Sequence, residues 1–449
     1  MEPKLEKRYG LFTAIAMVVG IVVGSGVFFK AEKILTATGG NLKLGILAWV
    51  IGGIIMISCA YTFSIMATRY EYVNGIVDYA EATAGTRYAS FIGWFMAVIY
   101  YPAITSVLAW VSARYTCVIF GLPIAGGEAM TIACLYLVAS FAVNALSPVL
   151  AGKFQVASTV IKLIPVFLLA IVGTITGLRS GMTAYNFTHY VSQSTSHGFF
   201  TAVIAASFAY EGWIIATSIN AELKNAKKNL PVALMAGTFI IMAAYIFYYI
   251  GLAGTIKNEV MMAGGEEGAK MAFQTVFSSV GGTLLFVFVI ISCLGTLNGL
   301  MLASTRGIYS LSARDLGPNP KVFGQVDSVT NMPVNSAILG VLLCAVWLFY
   351  FYGANLTDTW FGFFSFDSSE LPIVTLYALY IPIFIIFIKK GKDLNFFNRF
   401  IMPCLSLAGC VFMVIAACLA HGTAVIAFLI VFFVVMALGM PVLVKKEKA

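Results

Sequence analysis

Apolar runs of about 20 residues recur along the whole chain, and twelve of them can be counted. Their approximate limits are 11–38, 44–69, 88–119, 128–147, 153–178, 197–221, 231–256, 282–312, 333–352, 363–388, 399–419 and 422–444. A helix rises about 1.5 Å per residue, so about 20 residues cross the roughly 30 Å hydrocarbon core of a bilayer. The chain is 60% hydrophobic and only 10% charged, against about 25% charged in an ordinary soluble domain. These runs imply an all-α integral membrane protein with 12 transmembrane helices, because a soluble core does not need uncharged apolar stretches of this length. The opening MEPKLEKRYG is charged. The apolar part after it is too long for a signal-peptide core and lacks a small-residue cleavage site, so it reads as a retained first span.

Lysine and arginine in the loops set the orientation. With the N-terminus inside, the cytoplasmic segments hold Lys4, Lys7, Arg8, Arg69, Arg87, Lys153, Lys224, Lys227, Lys228, Arg306, Arg314, Lys321, Lys389, Lys390, Lys392, Arg399, Lys445, Lys446 and Lys448. The opposite side holds Lys30, Lys33, Lys43, Arg179, Lys257 and Lys270, with the Lys30–Lys43 stretch running against the bias. Both termini are therefore expected in the cytoplasm. The net charge of +8 is spread over these loops, which points to membrane orientation and not to nucleic acid. The eight cysteines all fall in apolar segments without metal-ligand spacing, which reads as reduced packing residues and no metal site. Segments 70–87, 257–281 and 313–332 read as the long hydrophilic links. Two Asn-x-Thr sequons begin at Asn186 and Asn355.

Two spans are interrupted. The first carries Val22, Val23, Gly24, Ser25 and Gly26 at its centre, and the sixth carries Phe208, Ala209, Tyr210, Glu211 and Gly212. Gly24 lies roughly 20 Å from the inner end of its span and Glu211 roughly 18 Å from the outer end of its own. Both breaks sit near the bilayer centre, approached from opposite faces. An unpaired backbone group in lipid costs several kcal/mol, so irregular backbone at that depth lines a cavity or lies inside protein. Small residues also serve close helix packing, but a matching break five spans later is the pattern of a transporter with inverted repeats. The half-helix starting near Ser25 presents free amides and a positive dipole end, which suits a carboxylate. The half-helices ending near Val22 and Val23 and near Phe208 and Ala209 present free carbonyls, which suit an ammonium group. Together they complement a zwitterionic α-amino acid.

The stretches GSGVF, FAYEGW, AELKNAKKNLP, FQVASTVIKLIP and ISCLGTLNGLMLASTRGIYSLSARD resemble the amino acid–polyamine–organocation superfamily. The last two resemble its L-amino acid transporter branch, in particular the bacterial serine/threonine and alanine/serine/cysteine exchangers. The resemblance implies the LeuT fold, a 5+5 inverted repeat with broken helices 1 and 6. The transport core would span 1–390, with repeat one about 8–180 and repeat two about 195–390. Residues 391–449 would add two helices. Lys162, about 14 Å deep in the fifth span, matches a lysine whose ammonium replaces the sodium ion of coupled relatives, which implies sodium-independent transport. Snorkelling to the cytoplasmic surface is the alternative. Tyr245 matches a tyrosine near the first break, although Tyr248 and Tyr249 lie close enough to share that assignment. Phe208 matches an aromatic that covers the substrate as an outer gate.

The expected activity is secondary active exchange of small or medium neutral L-amino acids in a bacterial plasma membrane, with no cofactor. A proton-coupled symporter titrating Lys162 or Glu211 is the alternative, as is a permease for cationic amino acids or amines using Glu211. A structural or proton-linked role is favoured for Glu211. Ser292 lies on a small face with Gly295 and Gly299, which fits either packing on the first span or a substrate wall. Asp367 and Glu370 are expected at the outer interface. The loop FGLPIAGGEAM has no cysteine, so no covalent heavy-chain subunit is expected. No histidine lies mid-span to serve as a base near Ser25, which argues against an enzyme.

Overall fold

The computed structural model describes residues 10–70, 75–191, 197–216, 223–315, 317–327, 332–355 and 360–444. In chain order its main helices are α1 (Leu11–Val22), α2 (Gly26–Ala37), α3 (Leu42–Arg69), α4 (Thr86–Phe120), α5 (Gly127–Leu146), α6 (Leu150–Ser180) and α7 (Gly198–Tyr210). They continue with α8 (Trp213–Ala216), α9 (Ala226–Ala253), α10 (Glu266–Ser312), α11 (Val334–Asn355), α12 (Leu371–Lys390), α13 (Phe397–His421) and α14 (Ala424–Val444). Among the described residues, nine helices are long and apolar enough to cross a membrane. Both expected interruptions are present, between α1 and α2 and between α7 and α8. The terminal basic clusters at Lys4, Lys7 and Arg8 and at Lys445, Lys446 and Lys448 lie outside the described residues, as do Ala221 and Glu222.

The chain forms two compact units, each assembled from separated segments. The first takes residues 1–89, 166–262 and 374–420 and the second takes 90–165, 263–373 and 421–449. In the first unit α3 packs on α9 through small residues. A Cβ on Gly53 would meet the Met242 side chain of α9 at 2.5 Å, while one on Gly52 would touch Tyr210 of α7 at 3.3 Å. Further along, Gly173 lies against the Gly251 carbonyl and Gly177 against Gly254, a small-residue seam that lets two helix backbones meet. Asn186 donates both amide hydrogens, to Ala253 O at 2.6 Å and Ile256 O at 2.9 Å, and accepts from Asn258 N at 3.0 Å. Its side chain is buried, so the first sequon is not a glycan acceptor in this fold. Thr62 and Ser406 share a hydrogen bond at 2.8 Å and fasten α13 to α3.

In the second unit Asn144 on α5 donates to Asn298 Oδ1 on α10 at 2.9 Å, and Asn298 donates to Gln155 Oε1 on α6 at 3.2 Å. The Trp347 indole donates to Val98 O and the Trp94 indole to Val435 O, both at 3.0 Å. The links are more structured than their polarity suggests. Residues 257–281 contain a helix at Asn258–Gly264 and the first turns of α10, which bends at Phe277 and Ser278. Residues 70–87 contain a helix at Ile76–Ala84.

Lys30 corrects the charge count. It lies inside α2 and is 0% exposed, so it is not a loop charge and says nothing about orientation. Glu370 is corrected as well: it is 0% exposed, with a carboxylate oxygen 3.3 Å from His421 Nε2. His421 ends α13. Asp367 accepts from Ser369 N at 2.7 Å and Glu370 N at 3.1 Å. It caps the start of α12, and that turn carries Glu370 inward.

Candidate functional site

The first break is built by three short-range contacts. Val23 is extended at φ −64° and ψ 110°, and its amide closes α1 by donating to Val19 O at 2.9 Å. The Ser25 carbonyl opens α2 by accepting from Phe28 N at 3.1 Å and Phe29 N at 3.0 Å. The amides of Ser25, Gly26 and Val27 find no backbone acceptor among the described residues, and no side chain caps them. A buried amide left unpaired costs about 1–3 kcal/mol, and Val23, Ser25 and Val27 are all buried. Unpaired amides at a helix start are a chemical match for an anion.

The second break has a different device. Glu211 is extended at φ −68° and ψ 152°, with its amide donating to Phe208 O at 3.3 Å. Gly212 follows at φ +110°, a region closed to side chains with a Cβ. The turn is thus fixed by glycine, and α8 restarts at Trp213. Phe208, Ala209 and Tyr210 are buried, whereas Glu211 is half-buried. Tyr377 and Tyr380 of α12 are buried near Glu211. Those tyrosines belong with Phe63 and Trp213 to an aromatic cluster of the same unit.

The two breaks meet. A Cβ on Gly26 would lie 2.5 Å from Ala209 Cα, so only glycine allows α2 to approach α7 this closely. Gly26 is both a helix break and a packing residue. The Tyr245 hydroxyl of α9 lies 3.2 Å from Val22 O and 3.1 Å from Ala209 O. One donor bridges a carbonyl from each break, and each carbonyl keeps a second lone pair. Trp49 and Tyr210 fix the ring: Tyr210 stacks on Tyr245 at 5.2 Å and donates to Trp49 O at 3.0 Å. Tyr248 and Tyr249 do not share this role. Tyr248 packs edge-on against Phe28 at 5.4 Å, and Tyr249 fills the space above Gly45.

Sequence reasoning missed Lys30 at this place. Its ammonium sits 4.6 Å from the Phe208 ring centre and 4.8 Å from that of Phe29. Two desolvated cation–π contacts of this kind are worth about 2 kcal/mol each.

Lys162 and Ser292 belong to the second unit. Lys162 is 2% exposed, so it does not reach a surface by snorkelling. It makes no hydrogen bond or ion pair among the described residues. One turn before it, Ser158 occupies the space where a Cβ of Gly295 would be, and Gln155 lies 3.4 Å from the corresponding point on Gly299. The small face of α10 therefore packs on α6 at Gly295 and Gly299. Ser292 Oγ is buried without a partner among the described residues.

Comparison with known proteins gives the chemical context. The family described as Amino acid permease matches residues 9–440. The chain is similar to the serine/threonine exchanger SteT of Bacillus subtilis (strain 168), 27% identical over 91% of this chain and 90% of that one. It is also similar to a cadaverine/lysine antiporter of Escherichia coli (strain K12), 28% identical over 95% and 94%. A b(0,+)-type amino acid transporter 1 of Rattus norvegicus is 24% identical over 86% and 82%.

Proposed function

The chain belongs to the amino acid permease family, and from that premise we propose that it is a sodium-independent exchanger of small or medium neutral L-amino acids. It is a membrane-embedded transporter and not an enzyme. The observation that carries the reading is the Tyr245 hydroxyl between Val22 O and Ala209 O. It supports a site in which both breaks address one ligand. On this reading the Ser25, Gly26 and Val27 amides hold the α-carboxylate. The Val22, Phe208 and Ala209 carbonyls hold the α-ammonium. Gly24 and Val23 keep the backbone open between them, with Tyr210 stacked behind and Phe208 as the covering ring.

Lys162 stands in for a sodium ion in this mechanism. Its support is a buried ammonium with no partner among the described residues, which is the state of a charge reserved for a ligand or a conformational step. The alternation of the two compact units along the chain supports the two-repeat division, about 8–180 and 195–390, followed by 391–449. Cys117, the cysteine nearest the loop after α4, is buried, which supports a chain that works without a covalent heavy subunit. The proposed location is a bacterial plasma membrane with both termini cytoplasmic.

A second reading has a specific observation behind it. Glu211 places a half-buried carboxylate in the second break, and the cadaverine/lysine antiporter is among the relatives. A cationic side chain or a diamine would then pair with Glu211. The unpaired amides at Ser25–Val27 favour a ligand that carries a carboxylate, which a diamine lacks.

Purified protein in proteoliposomes separates these readings. Labelled serine or alanine is expected to enter faster with unlabelled amino acid inside, at the same rate in sodium or choline. Strict sodium dependence would remove Lys162 from its role, and uptake driven only by a pH gradient would replace exchange with proton symport. Uptake of lysine or cadaverine without alanine or serine would establish the Glu211 reading.

A further inference from the structure

We propose that Lys30 is a positioning residue for Phe208: a cationic clasp that fixes the orientation of this ring and joins the two half-helices α2 and α7. The inference rests on the reading above, in which Phe208 covers the substrate.

The geometry is local and over-determined. Lys30 lies four residues after Gly26, so both point along one face of α2. Gly26 meets Ala209, and Lys30 meets the adjacent Phe208. Phe29 completes the contact, its ring 6.0 Å from that of Phe208 at an interplanar angle of 69°. The ammonium faces both rings, at 4.6 and 4.8 Å. A ring bound through its face by a cation loses that attraction when it turns, because the ring edge carries the opposite partial charge. Lys30 therefore favours one setting of Phe208. A neutral residue of the same length would hold the space without holding the angle. The 0% exposure of Lys30 keeps water from competing for the ammonium.

Three predictions separate a clasp from filler. Lys30→Met keeps length and apolar volume and removes the charge. Lys30→Arg keeps a cation that stacks on aromatic faces. Lys30→Met is expected to raise KM for exchange about tenfold with a nearly unchanged maximal rate, and Lys30→Arg to stay within about threefold of the parent. Thermal midpoints in detergent form the second arm, measured for Lys30→Met, Phe208→Leu and the double variant. The double variant is expected to melt no lower than the worse single variant, since both remove the same contact. Additive midpoint shifts would overturn the clasp, as would an unchanged KM in Lys30→Met or a Lys30→Arg as impaired as Lys30→Met. Should the parent protein carry no amino acid, the transport reading falls, and the thermal cycle still decides the clasp.

Discussion

Among the described residues two lysines are buried, and the fold treats them oppositely. Lys30 in the first unit is 0% exposed and rests on Phe29 and Phe208. Lys162 in the second unit is 2% exposed with no hydrogen bond or ion pair among the described residues. Taking an ammonium out of water is costly, and a fold recovers that cost through partners. Lys30 is a charge whose partners are built into the protein. Lys162 is a charge with no such partner among the described residues, and the role proposed for it draws on that difference. Burial alone would rank the two equally, and the surroundings separate them.

The largest expected effect tests that separation. Lys162→Met is expected to slow exchange roughly a hundredfold, since a charge-assisted contact is worth up to about 3 kcal/mol. The same variant is expected to melt higher than the parent, because it removes an unpartnered buried charge. Lys30→Met is expected to melt lower. Opposite signs in one thermal assay would sharpen the contrast; two downward shifts would break it. Gly26→Ala comes next. Its Cβ would sit 2.5 Å from Ala209 Cα, so α2 and α7 must part, and Lys30 would leave the Phe208 ring. Overpacking of this kind costs about 2 kcal/mol, so exchange is expected to fall roughly thirtyfold, with a lower midpoint. Parent-like exchange in Gly26→Ala would mean the close approach is not needed.

Much of this arrangement could be read in the residues. The spans follow from composition, and the breaks from Gly24, Gly26 and Gly212 in segments that must otherwise be helical. Lys162 follows from its distance to the nearest loop. Lys30 could have been found the same way, since it lies only about 6 Å along the axis from Gly26; treating it as a topological charge hid it. Tyr245 could not be separated from Tyr248 and Tyr249, because residues spaced three and four apart share one helix face. Only the rotation of α9 against the two breaks chooses among them. The Glu370–His421 pair joins residues 51 positions apart in sequence, and no local pattern marks such a meeting. The packing of α10 on α6 through Gly295 was equally out of reach, since a small-residue face does not name its partner.

Tyr245→Phe probes the comparison at the centre of the first unit. It keeps the ring that stacks on Tyr210 and removes the one donor shared by Val22 O and Ala209 O. A neutral hydrogen bond is worth about 1 kcal/mol, so exchange is expected to fall roughly fivefold with the midpoint little changed. A loss as large as that of Lys162→Met would make the tyrosine, and not the lysine, the main charge-organising group.

The smallest effect is expected where a charge is left in water. The Arg69 guanidinium lies 2.7 Å from Asp393 in an exposed loop. Backbone hydrogen bonding and then Arg69 hold the Asp393 carboxyl below its ordinary range. A carboxyl lowered in the folded state adds stability that is fully present above its unfolded value, about 3.9, and is lost as the pH falls through the folded value. The window therefore lies at and below about pH 4, and the thermal midpoint should be insensitive to this pair between pH 5 and pH 8. Solvent screens an exposed pair, so Asp393→Asn is expected to leave the midpoint and exchange rate within error at neutral pH. A clear drop there would show that a solvated ion pair in this protein matters as much as a buried cation, and burial would no longer separate its lysines from its surface charges.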